Sequence, residues 1–232
     1  MSSKKRHVSA VILAAGSGRR MRSRETKQMM HLDGESVLLR SVRAFEECED
    51  ISSIVVVTRQ EEISAVRTML SSAAKLLGIV IGGSCRQESA RLGFLAIPKE
   101  ADFVAVHDAA RCLVTPDMIS KVVDSAAKYG AATAAFPVRD TVKRADARGF
   151  ICQTLKREEL FLAATPQVFS REIYERALSA CADRLSKYTD DNMMAESVGA
   201  DVALVDVGGE NIKITTPDDL LLAKFILENR KC

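Results

Sequence analysis

The stretch "VSAVILAAGSGRRMRSRETKQ" (residues 8–28) decides the fold. An apolar, β-branched run from Val8 to Ala14 ends in small residues and two glycines, Gly16 and Gly18. A buried strand that opens into a glycine loop is how a parallel α/β sheet offers backbone N–H groups to an anion. The loop then carries Arg19, Arg20, Arg22, Arg24 and Lys27 against one acid, Glu25, in a chain whose formal net charge is only +2. A cationic run is most often a solvated loop. Here it lies beyond the carboxyl end of the first strand, where open α/β sheets bind ligands.

Two glycine templates fail on this stretch. The P-loop pattern needs a Lys after its second glycine, and none stands there. The dinucleotide pattern GxGxxG starts at Gly16 and Gly18 but meets Met21 where the third glycine belongs. That third glycine lets a helix pack closely on the strand. What remains is the physics: Ala14, Ala15, Gly16 and Gly18 allow a ligand to approach the backbone closely.

Working outward, apolar runs alternate with helical patterns. Strands are expected at 8–14, 53–58, 78–82, 103–107, 131–136 and 201–207, the second and fourth being nearly continuous apolar runs. Such runs fit strands covered on both faces. Ser36 opens a helix with Leu38, Val42 and Phe45 on one face. Thr115-Pro116 and Thr216-Pro217 are start signals, and Gly130 is a stop. The pattern predicts an α/β fold: a Rossmann-like, mostly parallel sheet with helices on both faces, in a single domain spanning 1–232. From about 137 to 164 the chain turns polar and basic, which reads as a protruding hairpin or arm.

Composition narrows the function. Aromatics are 5% and Trp is absent, so base-stacking platforms for nucleic acid are not expected. The six cysteines lie at least 27 residues apart, without zinc spacing, and read as reduced thiols of a cytoplasmic protein. His7, His31 and His107 form no metal pattern. The basic start and short apolar run look like a signal peptide, but a buried first strand fits better. No segment approaches the ~18 apolar residues of a membrane span.

Four more stretches stand out. "GGSCRQESARLG" (82–93) places Gly82 and Gly83 at a strand-to-helix turn, with a hydroxyl at Ser89. "VHDAAR" (106–111) ends a strand with Asp108 and Arg111, three apart and close enough in sequence to pair with each other. "PVRDTVKR" (137–144) and "LKREELFLAATPQVF" (155–169) bracket the arm. "TDD" (189–191) and "NIKIT" (211–215) follow, the latter readable as a plain edge strand.

Taken in order, these stretches resemble the cytidylyltransferases that act on methylerythritol phosphate. The pattern L-A-A-G-x-G-x-R-[ML] followed by Lys-Gln falls on residues 13–28, with its Arg at Arg20 and its Lys at Lys27. G-G-x-x-R-x-x-S falls on 82–89, and V-H-D-A-A-R matches without change. Four positions depart from the family's usual residues: Thr26 for Pro, Met29 for an aromatic, Ala90 for Val and Cys112 for Pro.

The resemblance implies an enzyme that joins CTP to a polyol phosphate and releases pyrophosphate. It implies nucleotide contacts at Ala14, Ala15, Gly16, Gly18, Gly82, Gly83, Ser89 and Asp108. It implies acceptor contacts at Asp108, Arg111, Thr141, Arg157, Thr165 and Lys213. Catalysis falls to Arg20, Lys27, Arg157 and Lys213, and Mg²⁺ is expected to arrive mainly on the CTP phosphates. The arm is expected to form a homodimer, with Thr141 and Arg157 reaching the neighbour's site. Two other readings stay open at this stage: a cytidylyltransferase for another polyol phosphate, such as ribitol 5-phosphate, and a nucleotide-binding protein without catalysis.

Overall fold

The computed structural model describes residues 6–16 and 26–230. In chain order the strands are β1 (Val8–Leu13), β2 (His31–Leu32), β3 (Glu35–Ser36), β4 (Ile51–Thr58), β5 (Leu76–Ile81) and β6 (Phe103–Asp108). They continue with β7 (Ala131–Pro137), β8 (Lys143–Ala145), β9 (Ile151–Thr154), β10 (Phe161–Ser170) and β11 (Ala203–Asp206). The helices are α1 (Val37–Glu47), α2 (Ile63–Met69), α3 (Arg86–Leu95), α4 (Pro116–Tyr129), α5 (Arg171–Cys181), α6 (Asp191–Glu196) and α7 (Pro217–Arg230).

Seven strands form one sheet in the order β11-β7-β10-β6-β1-β4-β5. All run parallel except β10, which is antiparallel to both β6 and β7. The chain leaves β1 for β4 and β5 on one side and returns to β6 on the other. The crevice between β1 and β6 is therefore the point where the strand order reverses, and ligands bind at such points in open α/β sheets.

Alternation along the inner strands assigns the two faces. Ala10 and Ile12 of β1 and Ile54 and Val56 of β4 pack with Leu38, Val42 and Phe45 of α1 and Ile119 and Val122 of α4. Val11, Val55 and Val57 point the other way, toward Ala90 and Phe94 of α3 and Tyr174 and Leu178 of α5. The expected helix signals are present. Ser36 Oγ accepts from Leu39 N, Thr115 caps α4, and Gly130 ends α4 at φ +88°. Asp219 Oδ2 accepts from the N–H groups of Thr215 and Thr216 at 2.8 Å each, which fixes the start of α7.

Close helix–sheet packing occurs under α3. A Cβ added to Gly93 would meet Val11 Cγ1 at 2.3 Å and Val57 Cγ2 at 2.8 Å. Glycine there lets α3 lie down on β1 and β4, so the turn before α3 reaches the crevice.

The stretch 137–164, expected as an arm, divides between a hairpin and the main sheet. The β8–β9 hairpin occupies its middle, and residues 161–164 belong to β10 in the centre of the sheet. The polar stretch "LKREEL" hides that boundary, because the apolar residues of β10 follow it without a turn signal. "NIKIT" is not a strand: residues 211–215 are extended coil, with Ile214 N donating to Ala110 O (2.8 Å).

Candidate active site

The site begins where three parallel strands end level. Leu13 lies opposite Asp108 in the β1–β6 ladder and opposite Val57 in the β1–β4 ladder. Ala14 N donates to Val57 O (2.7 Å) and Ala109 N to Leu13 O (3.0 Å), so the chain leaves the sheet just past these bonds. A cavity of about 430 Å³ opens there, lined by Ala14, Ala15, Gly16, Lys27, Gly83, Arg86, Ser89, Asp108 and Lys213, among others. A second, of about 230 Å³, is lined by Arg111, Thr165, Thr189 and Asp190 and shares Arg86, Asp108 and Lys213 with the first.

The larger cavity has a backbone floor. A Cβ on Gly82 would meet Ala15 Cβ at 2.4 Å and Ser89 Oγ at 2.9 Å, so Gly82 lies pressed behind the wall. Ser89 Oγ accepts from Gly83 N (3.1 Å) and donates to Cys85 O (3.0 Å), which holds the turn against α3. A Cβ on Gly16 would meet nothing within 4 Å. Packing does not demand glycine at Gly16, whereas close approach of a ligand would use it.

Asp108 joins the two cavities. Its Oδ1 accepts from Arg86 Nε (2.9 Å) and its Oδ2 from Lys213 Nζ (2.6 Å). Its N–H donates to Thr165 Oγ1 (3.0 Å). Burial alone would raise its pKa, but Arg86 and Lys213 overcome this and hold it far below the usual carboxylate range. Arg86 continues inward: Nη1 donates to Asp191 Oδ2 (2.5 Å), and Tyr174 Oη donates to Asp191 Oδ1 (2.7 Å). Burial works against the Arg86 charge, yet Asp191 and Asp108 raise its pKa above the ordinary arginine value.

Arg111 does not pair with Asp108. Its Nη1 donates to Asn211 O (2.8 Å) and its Nη2 to Ala163 O (3.3 Å). Asn211 Nδ2 in turn donates to Thr165 O (2.8 Å). These bonds fasten the 211–215 segment and deliver Lys213 to Asp108.

The structure thus brings together Ala14, Ala15, Gly16, Lys27, Gly82, Gly83, Ser89, Asp108, Arg111, Thr165 and Lys213. Gly18 and Arg20 lie outside the described residues. Thr141 and Arg157 are exposed at the base of the arm and line neither cavity. Sequence reading gave no role to Arg86, Asp191 or Tyr174. The first two stood in quoted stretches, as the Arg of G-G-x-x-R-x-x-S and the last residue of "TDD". Tyr174 lies in α5, which Ser170 opens as N-cap by accepting from Ile173 N (3.3 Å).

Residues 8–229 match the family of 2-C-methyl-D-erythritol 4-phosphate cytidylyltransferases. The chain belongs to that family. Relatives bearing this name include one from Pelotomaculum thermopropionicum, 40% identical over 227 residues (97% of this chain, 95% of the relative). Another, from Clostridium botulinum, is 38% identical over 226 residues (95% and 97%). Among solved structures, a 4-diphosphocytidyl-2C-methyl-D-erythritol synthase from Anaerococcus prevotii superposes with a TM-score of 0.86 at 26% identity, covering 97% of both chains. The 2-C-methyl-D-erythritol 4-phosphate cytidylyltransferase of Francisella tularensis gives 0.79 at 27% identity, covering 94% of this chain and 99% of that one.

Proposed function

We infer that this chain joins CTP to 2-C-methyl-D-erythritol 4-phosphate, releasing pyrophosphate, as a step of isoprenoid precursor synthesis. One observation carries the reading beyond family membership. Two adjoining cavities share a wall of Arg86, Asp108 and Lys213, so two anionic substrates would lie side by side with cations between them. The nucleotide belongs in the larger cavity, over Ala14–Gly16 and the Gly82–Gly83 turn. The acceptor belongs in the smaller one, by Arg111, Thr165 and Thr189.

The acceptor phosphate has a second pKa of about 6 and is mostly ionised at neutral pH. An oxygen of that phosphate attacks the α-phosphorus, the bond from that phosphorus to the bridging oxygen breaks, and pyrophosphate leaves. No general base is required. Asp108 is held ionised and engaged by two cations, so its work is to orient Lys213 and substrate hydroxyls. Lys27 and Arg20 would meet the charge that builds on the α-phosphate. Lys213, with Arg157 of a second copy, would hold the attacking phosphate. Electrostatic stabilisation and in-line placement supply most of the rate in such transfers.

Magnesium fits this site as a passenger held mainly by the nucleotide. The described residues contain no cluster of three His, Cys, Asp or Glu that could hold a metal ion, and Asp108 already has both oxygens occupied. Mg²⁺ carried on the triphosphate would neutralise phosphate charge, held by phosphate oxygens.

The hairpin supports a homodimer. Phe150 and Ile151 at its tip are 66% and 65% exposed, and two strands alone are marginal in water. A cytoplasmic location fits the five described cysteines, all free thiols, and no described helix is long and apolar enough to cross a membrane.

The test offers CTP, UTP, ATP and GTP with methylerythritol phosphate or ribitol 5-phosphate and Mg²⁺, and follows pyrophosphate. Release is expected only with CTP and methylerythritol phosphate. Preference for ribitol phosphate would change the acceptor, and no release with any pair would leave a binding protein. Lys27→Ala should lower kcat by roughly a hundred- to a thousandfold with the melting temperature unchanged. Near-normal turnover would remove Lys27 from the mechanism.

A further inference from the structure

Lys27 is placed by its neighbours, and both neighbours lead to one carboxyl group. Glu62 ends the short 3-10 turn Gln60–Glu62 after β4 and is 9% exposed. Its Oε1 accepts from the Thr26 hydroxyl. Its Oε2 accepts from Gln28 Nε2 (3.2 Å) and from the Thr58 hydroxyl (3.2 Å). Gln28 is 1% exposed, and its Nε2 also reaches Gly16 O (3.3 Å). Met29 N donates to Thr26 O (3.0 Å), so residues 26–29 form a turn with Lys27 at its second position.

We propose that Glu62 is a positioning residue for cytidylyl transfer. Through Thr26 and Gln28 it fixes the turn that presents Lys27, and through Gln28 it ties that turn to Gly16 on the nucleotide cavity. The argument is one of chemistry. A carboxyl group close to a site for a polyanion works against binding by like-charge repulsion. It offers in return two oxygens that can gather three donors from three segments, which a neutral side chain of the same size does less well. Thr58 anchors it to the sheet at the end of β4, so the turn inherits the rigidity of the central strands. Thr26 also stands where proline is usual in the family. Proline would restrict the backbone before Lys27 by its ring. Here a hydroxyl tied to Glu62 supplies a restraint of another kind.

This rests on the role given to Lys27 above, so the test separates the two. Thr26→Val removes the hydroxyl and keeps the shape, Thr26→Ser keeps the hydroxyl, and Glu62→Gln keeps the size. Steady-state kinetics with each substrate varied, alongside melting temperature, should show kcat lowered roughly ten- to a hundredfold in Thr26→Val and Glu62→Gln. The KM for CTP should rise, the KM for the acceptor should hold, and Thr26→Ser should be near wild type. In a Lys27→Ala background neither change should cost further activity, because the group they position is gone. Wild-type kinetics in a well-folded Thr26→Val, or a full additional loss in the Lys27→Ala background, overturns the proposal. Should the wild-type protein release no pyrophosphate, the functional reading falls by itself. The proposal is then judged by calorimetric titration with Mg·CTP: weaker binding in Thr26→Val and Glu62→Gln upholds it, and unchanged affinity overturns it.

Discussion

Two regions carry the positions assigned to the acceptor substrate, and they are held in opposite ways. Around Asp108 each charge has a partner drawn from a distant part of the chain. Arg86 comes from α3, Lys213 from the segment before α7, Asp191 and Tyr174 from α6 and α5, and Thr165 from β10. Around Arg157 the contacts stay within the 137–164 stretch. Its Nη1 donates to Arg139 O (3.3 Å), its Nε lies 3.5 Å from the adjacent Glu158, and the nearby hairpin is exposed on both strands. The first region is organised within one chain. The second has the chemistry of a phosphate site without the surroundings that would position it. The difference says that the Asp108 side of the cleft is organised within one chain, while Arg157 lines neither cavity of that chain.

The largest effect breaks or sharpens that contrast directly. Arg157→Ala and Lys213→Ala should each lose most activity, while Arg157→Ala leaves stability within about 0.5 kcal/mol, as expected for an exposed side chain. Mixed under conditions where subunits exchange, the two variants should regain roughly a quarter of wild-type activity, because half the dimers are mixed and one of their two sites is intact. No recovery despite proven exchange would return Arg157 to its own chain or remove it from the site.

The next effect belongs to the region around Asp108. Arg86→Ala leaves Asp108 and the fully buried Asp191 without a shared cation. Removing one partner of a buried pair costs about 3–5 kcal/mol, or roughly 10 °C in melting temperature for a chain of this size. Activity should fall with it. An Arg86→Ala variant with wild-type stability would mean that the Asp191–Tyr174 network sustains itself and that Arg86 serves the ligand alone.

The same contrast explains what the sequence could tell. The outer frame was readable, because β-branched runs, Thr-Pro starts and Gly130 are local signals. β10 was not, because "FLAATPQVF" continues a polar stretch with no turn residue, and only its pairing with β6 and β7 gives it a place in the sheet. The site divides likewise. Gly16, Gly83, Asp108 and Lys213 belong to recognisable patterns. Arg86 and Asp191 acquire their meaning from a contact between residues 105 positions apart, and Glu62 from contacts to Thr26 and Gln28 across β4. No spacing within a single stretch encodes such pairs.

The smallest effect probes how firmly the Asp108 side is sealed. His107 is fully buried beside Asp108, and Thr165 Oγ1 lies 3.0 Å from its Nδ1. Its Nε2 has no partner among the described residues, and its ring packs 4.9 Å from that of Phe45. Burial pulls its pKa down to about 3, with Asp108 acting to raise it and Arg111 and Arg86 to lower it. The unfolded chain therefore binds a proton that the folded protein refuses between about 3 and 6.5. Stability from this group is complete above about pH 6.5 and is lost as pH falls, at a rate approaching 1.4 kcal/mol per unit, or about 2.5 kcal/mol by pH 4.5. Below about pH 5 the depressed carboxyl of Asp108 adds a slope of the same sign, so the interval from pH 5 to 6.5 is the part that reports the imidazole. Denaturant unfolding of wild type and His107→Asn at half-unit steps over that interval should show the slope in the first and a flat profile in the second. A slope that survives in His107→Asn would assign it to another group, and a flat wild-type profile would mean that water reaches His107 and that the wall behind Asp108 opens in solution.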